Sequence, residues 1–369
     1  MLEDADKYKQ GVNRMLEKVL MKGNEAIGEA AIVAGCRYYF GYPITPQSEL
    51  IEYMAKRLPE VGGMFLQAES EVAAINMVYG AAGAGARVMT SSSSPGVSLK
   101  QEGISYIAAG ELPCVIVNIM RGGPGLGGIQ PGQADYFQAT KGGGHGDYHC
   151  IVIAPNSVQE MADLTALAFN LADRYRNPVM ILGDGALGQM MEPVSFTACK
   201  AMLMDKPWAT TGMGTRDNPN SINTLQLQPE KLEEVNAHLQ AKYALLQTQE
   251  TRSEEIWTDD AELVVVAYGI SSRIALSAVK RARDQGLKVG LFRPITLWPF
   301  PKSELADAVK KTSAVLVVEL SSGQMIEDVN LAIKCSKPVY FQGRTGGMMM
   351  KSSDIYDQLL QIIAPQGGN

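Results

Sequence analysis

Thr45 stands in the segment Tyr42-Pro43-Ile44-Thr45-Pro46, where two prolines bracket an Ile-Thr pair. Each proline fixes its own φ and disfavours the α region for the residue before it, so the pair is expected to be extended and stiff. A hydroxyl held that way at a strand end could donate to a ligand oxygen. The same letters also spell a helix start, with Thr45 as N-cap and Pro46 as the first helical residue. Glu71 precedes small and apolar residues in "QAESEVAAINMVYGAAGAG". An acid there either complements a helix dipole or, sheltered by alanines, shares a proton with a heterocyclic nitrogen. Glu69 competes for both roles. Arg121 closes the apolar run "PCVIVNIMR". Its guanidinium could clamp a carboxylate through two parallel hydrogen bonds, or pair with a nearby acid, because buried charges need partners. The glycines that follow would let a substrate approach the backbone.

Other residue patterns point less sharply. His145, one of three histidines, follows three glycines in "GGGHGDY" and could serve acid–base chemistry or a structural hydrogen bond. Asp184 in "GDGALG" invites a diphosphate–magnesium reading, but the asparagines nearest downstream, Asn218 and Asn220, fall in a polar stretch. Asp184 is therefore expected to cap or turn a strand end. "TSSSSPG" is not a nucleophile elbow, and no phosphate-loop pattern G-x-x-x-x-G-K-[ST] occurs.

The elements that must position these residues alternate between apolar runs and helical patterns. "KVLMKGNEAIGEAAIVAG" reads as strand, Gly-Asn cap and helix, and "GARVMTSSSSPGVSLKQEGISYIAAG" as strand, turn and helix. "PCVIVNIMRGGPG", "CIVIAP" and "PVMILGDGALG" add strands buried on both faces. Strands alternating with helices predict a parallel sheet, and ligands in such sheets bind outside the carboxyl ends of the strands. The segments "GYPITP", "QAESE", "TSSSSPG" and "MRGGPGLGG" all fall at such ends. Residues 1–204 form this first α/β domain; residues 205–257 read as a polar connecting arm with one long surface helix and no strand. A second α/β domain follows over 258–369, opening on "AELVVVAYGISSRIALSAVKRARDQGLKVGLFRPITLWPF".

Composition narrows the function. The chain has 369 residues, 46% of them hydrophobic, enough for a large core. A net charge of -6 leaves no basic footprint, so nucleic acid is not an expected partner. The first residues do not read as a signal peptide and no apolar run reaches membrane-spanning length, so a cytoplasmic protein without membrane attachment is expected. The five cysteines are scattered with no C-x-x-C, so neither a zinc knuckle nor an iron–sulfur cluster is expected from this chain, and its own metal ligands are none.

Taken in order, "GYPITPQSE", "ESEVAAINMVYGAAGAGARVMTSSSSPGVSL", "AAGELPCVIVNIMRGGPG" and "GGGHGDY" resemble the alpha subunit of the 2-oxoacid:ferredoxin oxidoreductases. "RPITLWPFP" and "GRTGGM" resemble the second domain of that subunit, so the likeness spans nearly the whole chain. The resemblance implies a thiamine-enzyme pyrimidine-binding domain followed by a transketolase C-terminal-like α/β domain. It implies thiamine diphosphate at a site shared with a beta subunit that carries Mg2+ and a [4Fe-4S] cluster, together with a gamma subunit and a ferredoxin-like delta subunit. Glu71 matches the glutamate that hydrogen-bonds the aminopyrimidine ring, Thr45 the threonine near the substrate oxygens, and Arg121 the arginine that holds the substrate carboxylate. Tyr42, Pro43, Ile44 and Ser94 are implied as further cofactor contacts.

The implied reaction is oxidative decarboxylation of a 2-oxo acid, with CoA taking the acyl group and ferredoxin the electrons. The short stand-alone form resembles the branched-chain (2-oxoisovalerate) enzymes most, with the 2-oxoglutarate enzymes as the alternative. Arg87 or Lys141 would be the cations to serve a distal carboxylate in that case. Two other readings stand beside these: a transketolase-like or NAD-linked thiamine enzyme, and a non-catalytic binding or assembly subunit. Retention of Thr45, Glu71 and Arg121 together argues against the last.

Overall fold

The computed structural model describes residues 18–364. In chain order its strands are β1 (Val19–Lys22), β2 (Tyr38–Gly41), β3 (Met64–Gln67), β4 (Val88–Ser92), β5 (Cys114–Met120), β6 (Ile151–Ile153), β7 (Pro178–Asp184), β8 (Met191–Val194), β9 (Ser253–Ile256), β10 (Leu263–Ala267), β11 (Val289–Pro294), β12 (Thr296–Trp298), β13 (Ala314–Glu319) and β14 (Val339–Gly343). The larger sheet runs β12-β6-β7-β5-β4-β2-β3 and is parallel apart from β12, which pairs antiparallel with β6. β5 and β7 lie near its centre with every residue buried, as their unbroken apolar runs require. The second sheet runs β14-β13-β10-β11-β9, with β9 as its antiparallel edge. β1 and β8 form a separate antiparallel ribbon. Among the described residues no helix is long and apolar enough to cross a membrane.

The chain reverses its direction of sheet growth at β2. It steps outward to β3, then returns to place β4 on the other side of β2. β2 and β3 stay paired through Gly41 and Gln67, whereas the β2–β4 ladder covers Tyr38–Val88 and Tyr39–Met89 and then stops. The two strands therefore part before their carboxyl ends, which opens a crevice at the switch point of the sheet.

Local chemistry fixes the helices around that crevice. Ser70 caps the helix Glu71–Gly83 by accepting the Ala73 N–H, which puts Glu71 in the first helical position. The helix Ser94–Ala109 carries Pro95 in its first turn, where a missing N–H costs nothing. These two helices pack along a seam in which Gly96 lies against Glu71 and Gly103 against Ile75. A Cβ on Gly96 would sit 2.6 Å from Glu71 Oε1 and one on Gly103 would sit 2.5 Å from Ile75 Cγ2, so both positions require glycine.

Two features of the fold differ from the sequence reading. The arm was expected to hold no strand, yet β9 extends the second sheet through pairs such as Leu291 with Ile256. Its Ser-Glu-Glu-Ile sequence has two exposed glutamates, a charged edge that discourages pairing with other chains and masks the strand pattern. The long helix of the arm is present as Pro229–Gln249, held to the body by Leu239, Tyr243 and Leu246. The second difference is β12, which lies beyond the arm but joins the first sheet. Its Trp298 stacks on His149 at 4.3 Å, with Tyr243 of the arm helix set edge-on to both rings.

Gln133 joins the two α/β units into one body. Its amide oxygen accepts from Ser271 Oγ and Leu320 N–H, and its amide nitrogen donates to Tyr268 O. Arg293 reaches back to both oxygens of Glu160, and Asp328 accepts from Tyr136 and Lys141.

Candidate active site

The Thr45 loop leaves β2 and is pinned from three sides. Gln47 is buried, accepts the Ser91 hydroxyl and donates to Tyr42 O. Asn24 Nδ2 donates to Pro46 O at 2.8 Å, and Arg121 Nη1 donates to Thr45 O at 3.0 Å. The Thr45–Pro46 peptide is cis. The helix that follows starts at Ser48 with Gln47 as its N-cap, so Thr45 is not a capping residue. The Thr45 side chain is exposed and makes no hydrogen bond among the described residues. The loop thus holds a free hydroxyl at a fixed position. Tyr42 and Pro43 are exposed beside it and Ile44 is half-buried.

Arg121 ends β5 and is 7% exposed. Besides Thr45 O it donates to Leu126 O at 3.0 Å, which folds the glycine loop 122–130 over it. Among the described residues no carboxylate lies within ion-pair distance of it, and its Nε has no hydrogen-bond partner. Arg121 is thus a buried guanidinium bonded to carbonyls, without an ion-pair partner among the described residues.

Ser94 joins this group at the start of the helix Ser94–Ala109. Its backbone sits at φ 20, a strained value for a residue with a side chain. Its hydroxyl bonds Asp135 Oδ2 at 2.6 Å and accepts the Arg121 N–H at 3.1 Å, and its own N–H donates to Asn118 Oδ1. Asn118 donates in turn to Asp135. Burial pushes the Asp135 carboxyl above the usual range, against the pull of the Ser94 and Asn118 hydrogen bonds. Ser94 is therefore well occupied within the chain. Neither Asp135 nor Asn118 carried a motif in the sequence, because each depends on a contact with Ser94 distant in the chain.

Glu71 is 6% exposed, whereas Glu69 points to solvent. The Glu71 carboxylate makes no hydrogen bond among the described residues and lies beside Gly96 and Ser92. The hydroxyls of Ser92 and Ser93 are buried and also without partners among the described residues. Thr45, Arg121 and Ser94 thus form one chain of hydrogen bonds at the amino end of the helix Ser94–Ala109, and Glu71 lies against Gly96 in the first turn of the same helix. A cavity of about 770 Å3 adjoins it, lined by Ser94, Asp135, Gly122–Gly125 and residues of the second unit, among them Ser322 and Thr345.

Other residues singled out by sequence lie elsewhere. His145 is exposed, with its ring edge-on to Tyr106 and its carbonyl bonded to Ser105. Ser105 lies 11 positions past Ser94 on the same helix, about 16 Å along the axis. Arg87 is buried at the opposite end of β4 on Asp173, and Lys141 is paired with Asp328 at 2.6 Å, so both are engaged in ion pairs within the chain.

Asp184 caps the short helix Gly185–Gln189, its Oδ1 accepting the Ala186 and Leu187 N–H groups while Oδ2 is buried without a partner. Burial pushes its carboxyl up to about 6. The folded chain holds that proton more tightly than the unfolded one, so stability is lost as pH rises through the interval from about 4 to about 6. Asp184→Asn keeps Oδ1 for the cap and is expected to flatten this slope, gaining up to about 3 kcal/mol at neutral pH. Urea unfolding at pH 4.5 and 7.5 checks it; an unchanged slope would show that Asp184 does not titrate there.

Comparison with known proteins agrees with this fold. Residues 29–256 match the family model of the thiamine diphosphate-binding domain of pyruvate flavodoxin/ferredoxin oxidoreductases, and residues 261–355 match core domain II of pyruvate:ferredoxin oxidoreductase. Ketoisovalerate oxidoreductase subunit VorB of Methanothermobacter marburgensis is 54% identical, over 93% of this chain and 97% of its own. 2-Oxoglutarate synthase subunit KorA of Methanothermobacter thermautotrophicus is 36% identical, over 94% of this chain and 100% of its own. A solved 2-oxoglutarate:ferredoxin oxidoreductase from Magnetococcus marinus, with 2-oxoglutarate, coenzyme A and succinyl-CoA bound, superposes with a TM-score of 0.83 at 26% identity. The match covers 94% of this chain and 65% of that one, so this chain spans just under two thirds of the structure's length. A split-gene transketolase shares the fold, with a TM-score of 0.58 at 15% identity.

The fold and the family matches define a subunit of a thiamine diphosphate-dependent enzyme. The chain belongs to the 2-oxoacid:ferredoxin oxidoreductase family and is one subunit of such an oxidoreductase.

Proposed function

We propose that this chain provides the pyrimidine-binding half of the active centre in an enzyme that oxidatively decarboxylates branched-chain 2-oxo acids, 2-oxoisovalerate foremost. CoA takes the acyl group and ferredoxin the electrons. One observation supports the reading: Arg121, which binds Thr45 O, and Glu71, a buried carboxylate against Gly96, both meet the first turn of the helix Ser94–Ala109.

The residues fit the aminopyrimidine of thiamine. Glu71 is a buried acceptor, Ser92 and Ser93 are orphaned polar neighbours, and Gly96 leaves room for the carboxylate. Thiamine diphosphate, when bound, supplies the nucleophilic carbon and the electron sink. Glu71 holds a proton at a ring nitrogen. Arg121 takes the substrate carboxylate on its free Nε edge while its other two nitrogens keep the loops in place. Thr45 donates to the 2-oxo oxygen. Tyr42, Pro43, Ile44 and Ser94 shape the walls.

The diphosphate, Mg2+ and a [4Fe-4S] cluster are assigned to a beta subunit, with gamma and ferredoxin-like delta subunits completing a cytoplasmic complex. A branched apolar substrate is favoured by the 54% identity to VorB against 36% to KorA, and by the commitment of Arg87 and Lys141 to ion pairs. The test is the native complex assayed with CoA, viologen and a panel of 2-oxo acids. 2-Oxoisovalerate is expected to give the highest kcat/KM, and preference for 2-oxoglutarate would overturn the assignment. The purified chain alone is expected to bind thiamine diphosphate poorly and to show no turnover; robust single-chain activity would overturn the shared site.

A further inference from the structure

We propose that Asp135 is a positioning residue for Arg121: its carboxylate orients the Ser94 hydroxyl, which in turn holds the end of β5 from which the guanidinium reaches. The inference rests on the assignment of Arg121 to the substrate carboxylate made above.

Asp135 stands at the N-cap of the short helix Tyr136–Thr140, a place where an aspartate ordinarily accepts a helix N–H. Its side chain makes no such capping bond. Instead Oδ2 accepts the Ser94 hydroxyl at 2.6 Å and the Asn118 amide at 3.0 Å. Asn118 Oδ1 accepts the Ser94 N–H at 3.0 Å, so Asp135, Asn118 and Ser94 close a ring of hydrogen bonds. Asn118 belongs to β5, the strand that Arg121 ends.

A hydroxyl carries one proton, and the Ser94 proton has two acceptors in reach. Arg121 O lies at 3.4 Å, whereas Asp135 Oδ2 lies at 2.6 Å, the length of a charge-assisted bond. The carboxylate therefore takes the proton. The Ser94 oxygen is left with its lone pairs toward the Arg121 N–H, at 3.1 Å. The same bond restrains Ser94 at its φ of 20, a value that persists only where the surroundings over-determine it. Among the described residues Asp135 makes no ion pair with Arg121, so the Nε edge of the guanidinium stays open.

Asp135 is itself held from the second unit. The Gln133 N–H donates to Leu320 O, and Tyr136 donates to Asp328. Gln324 donates to Ala134 O and accepts the Phe137 N–H, both at 2.7 Å. Residues on either side of Asp135 are thus tied to one unit while its carboxylate bonds to the other. Ser94 and Asp135 stand together on the wall of the cavity of about 770 Å3 between them.

The experiment uses the assembled complex and compares Asp135→Ala, Asp135→Asn, Ser94→Ala and the Asp135→Ala/Ser94→Ala double variant. In Asp135→Ala the KM for 2-oxoisovalerate is expected to rise about 3- to 10-fold, the span of one lost hydrogen bond. Turnover at saturation should stay within about twofold of wild type, because the contact served is one of binding. Asp135→Asn keeps an acceptor oxygen for Ser94 and Asn118 and is expected to bring KM back toward wild type. An aspartate that acts through Ser94 makes the double variant no worse than Ser94→Ala. Hydrogen exchange at the Arg121 amide should be faster in Asp135→Ala and close to wild type in Asp135→Asn. Asp135→Leu, which fills the space without an acceptor, repeats the test should alanine fail to assemble. A wild-type KM in Asp135→Ala, or losses that add in the double variant, beside a raised KM in Arg121→Met, would overturn the role of Asp135 alone. A wild-type KM in Arg121→Met would instead overturn the assignment of Arg121, and this inference with it.

Discussion

Glu71→Gln is expected to reduce turnover of the assembled complex by roughly 10²- to 10⁴-fold, the range typical of losing a positioned general acid or base. The substitution is close to isosteric, so the contact with Gly96 that fixes the two helices survives. Glutamine retains an acceptor oxygen but cannot take a proton at neutral pH. The loss should therefore fall on kcat and leave subunit assembly intact. The thermal midpoint should stay close to wild type, because glutamine keeps the volume of a side chain that makes no hydrogen bond among the described residues. Native mass measurement of the complex beside a viologen assay separates these outcomes. Unchanged turnover would remove Glu71 from the mechanism, and a dissociated complex would make its role one of assembly.

The stability side of this expectation extends to Lys100. Burial draws its pKa down to about 8, so the folded chain binds that proton less tightly than the unfolded chain does. The cost is greatest below pH 8 and is relieved as pH rises from about 8 toward 10.5. Lys100, on the helix Ser94–Ala109, is a fully buried lysine whose one hydrogen bond is to Thr90 Oγ1, an arrangement that costs stability. The strained Ser94 backbone at the head of the same helix belongs to the same pattern.

What the sequence disclosed of this site was whatever local rules could carry. Prolines bracketing Thr45 announced a rigid loop, and the buried run before Arg121 announced a central strand end. Both are where those rules place them, because proline sterics and strand burial act over a few residues. The choice between Glu69 and Glu71 was not local: Ser70 as N-cap turns Glu71 inward and leaves Glu69 in water. Asp135 stayed silent because its partners, Ser94 and Asn118, lie far along the chain on other elements. β12 was hidden for the same reason. Three residues after a long detour through the second sheet become an edge of the first, and no periodicity can signal that.

Arg121→Met is the second substitution with a large expected effect, and it separates two functions of one side chain. If the guanidinium grips the substrate carboxylate, loss of that charge-assisted contact costs on the order of 1.5–3 kcal/mol, or about 10- to 150-fold in kcat/KM, carried mainly by KM. The other two nitrogens of the same guanidinium pin Thr45 O and Leu126 O, so the variant should loosen the loop 122–130. Hydrogen exchange at Gly128, whose N–H bonds Gly122 O, reports that loosening directly. Arg121→Lys keeps the charge but cannot span both carbonyls and a ligand, since a lysine lacks the planar fork. It should restore part of the KM loss while leaving exchange fast. Added methylguanidine should rescue an Arg121→Ala enzyme if the clamp matters more than the pin. Wild-type KM in Arg121→Met, with fast exchange at Gly128, would reduce Arg121 to a structural tie and move the substrate carboxylate to a different cation.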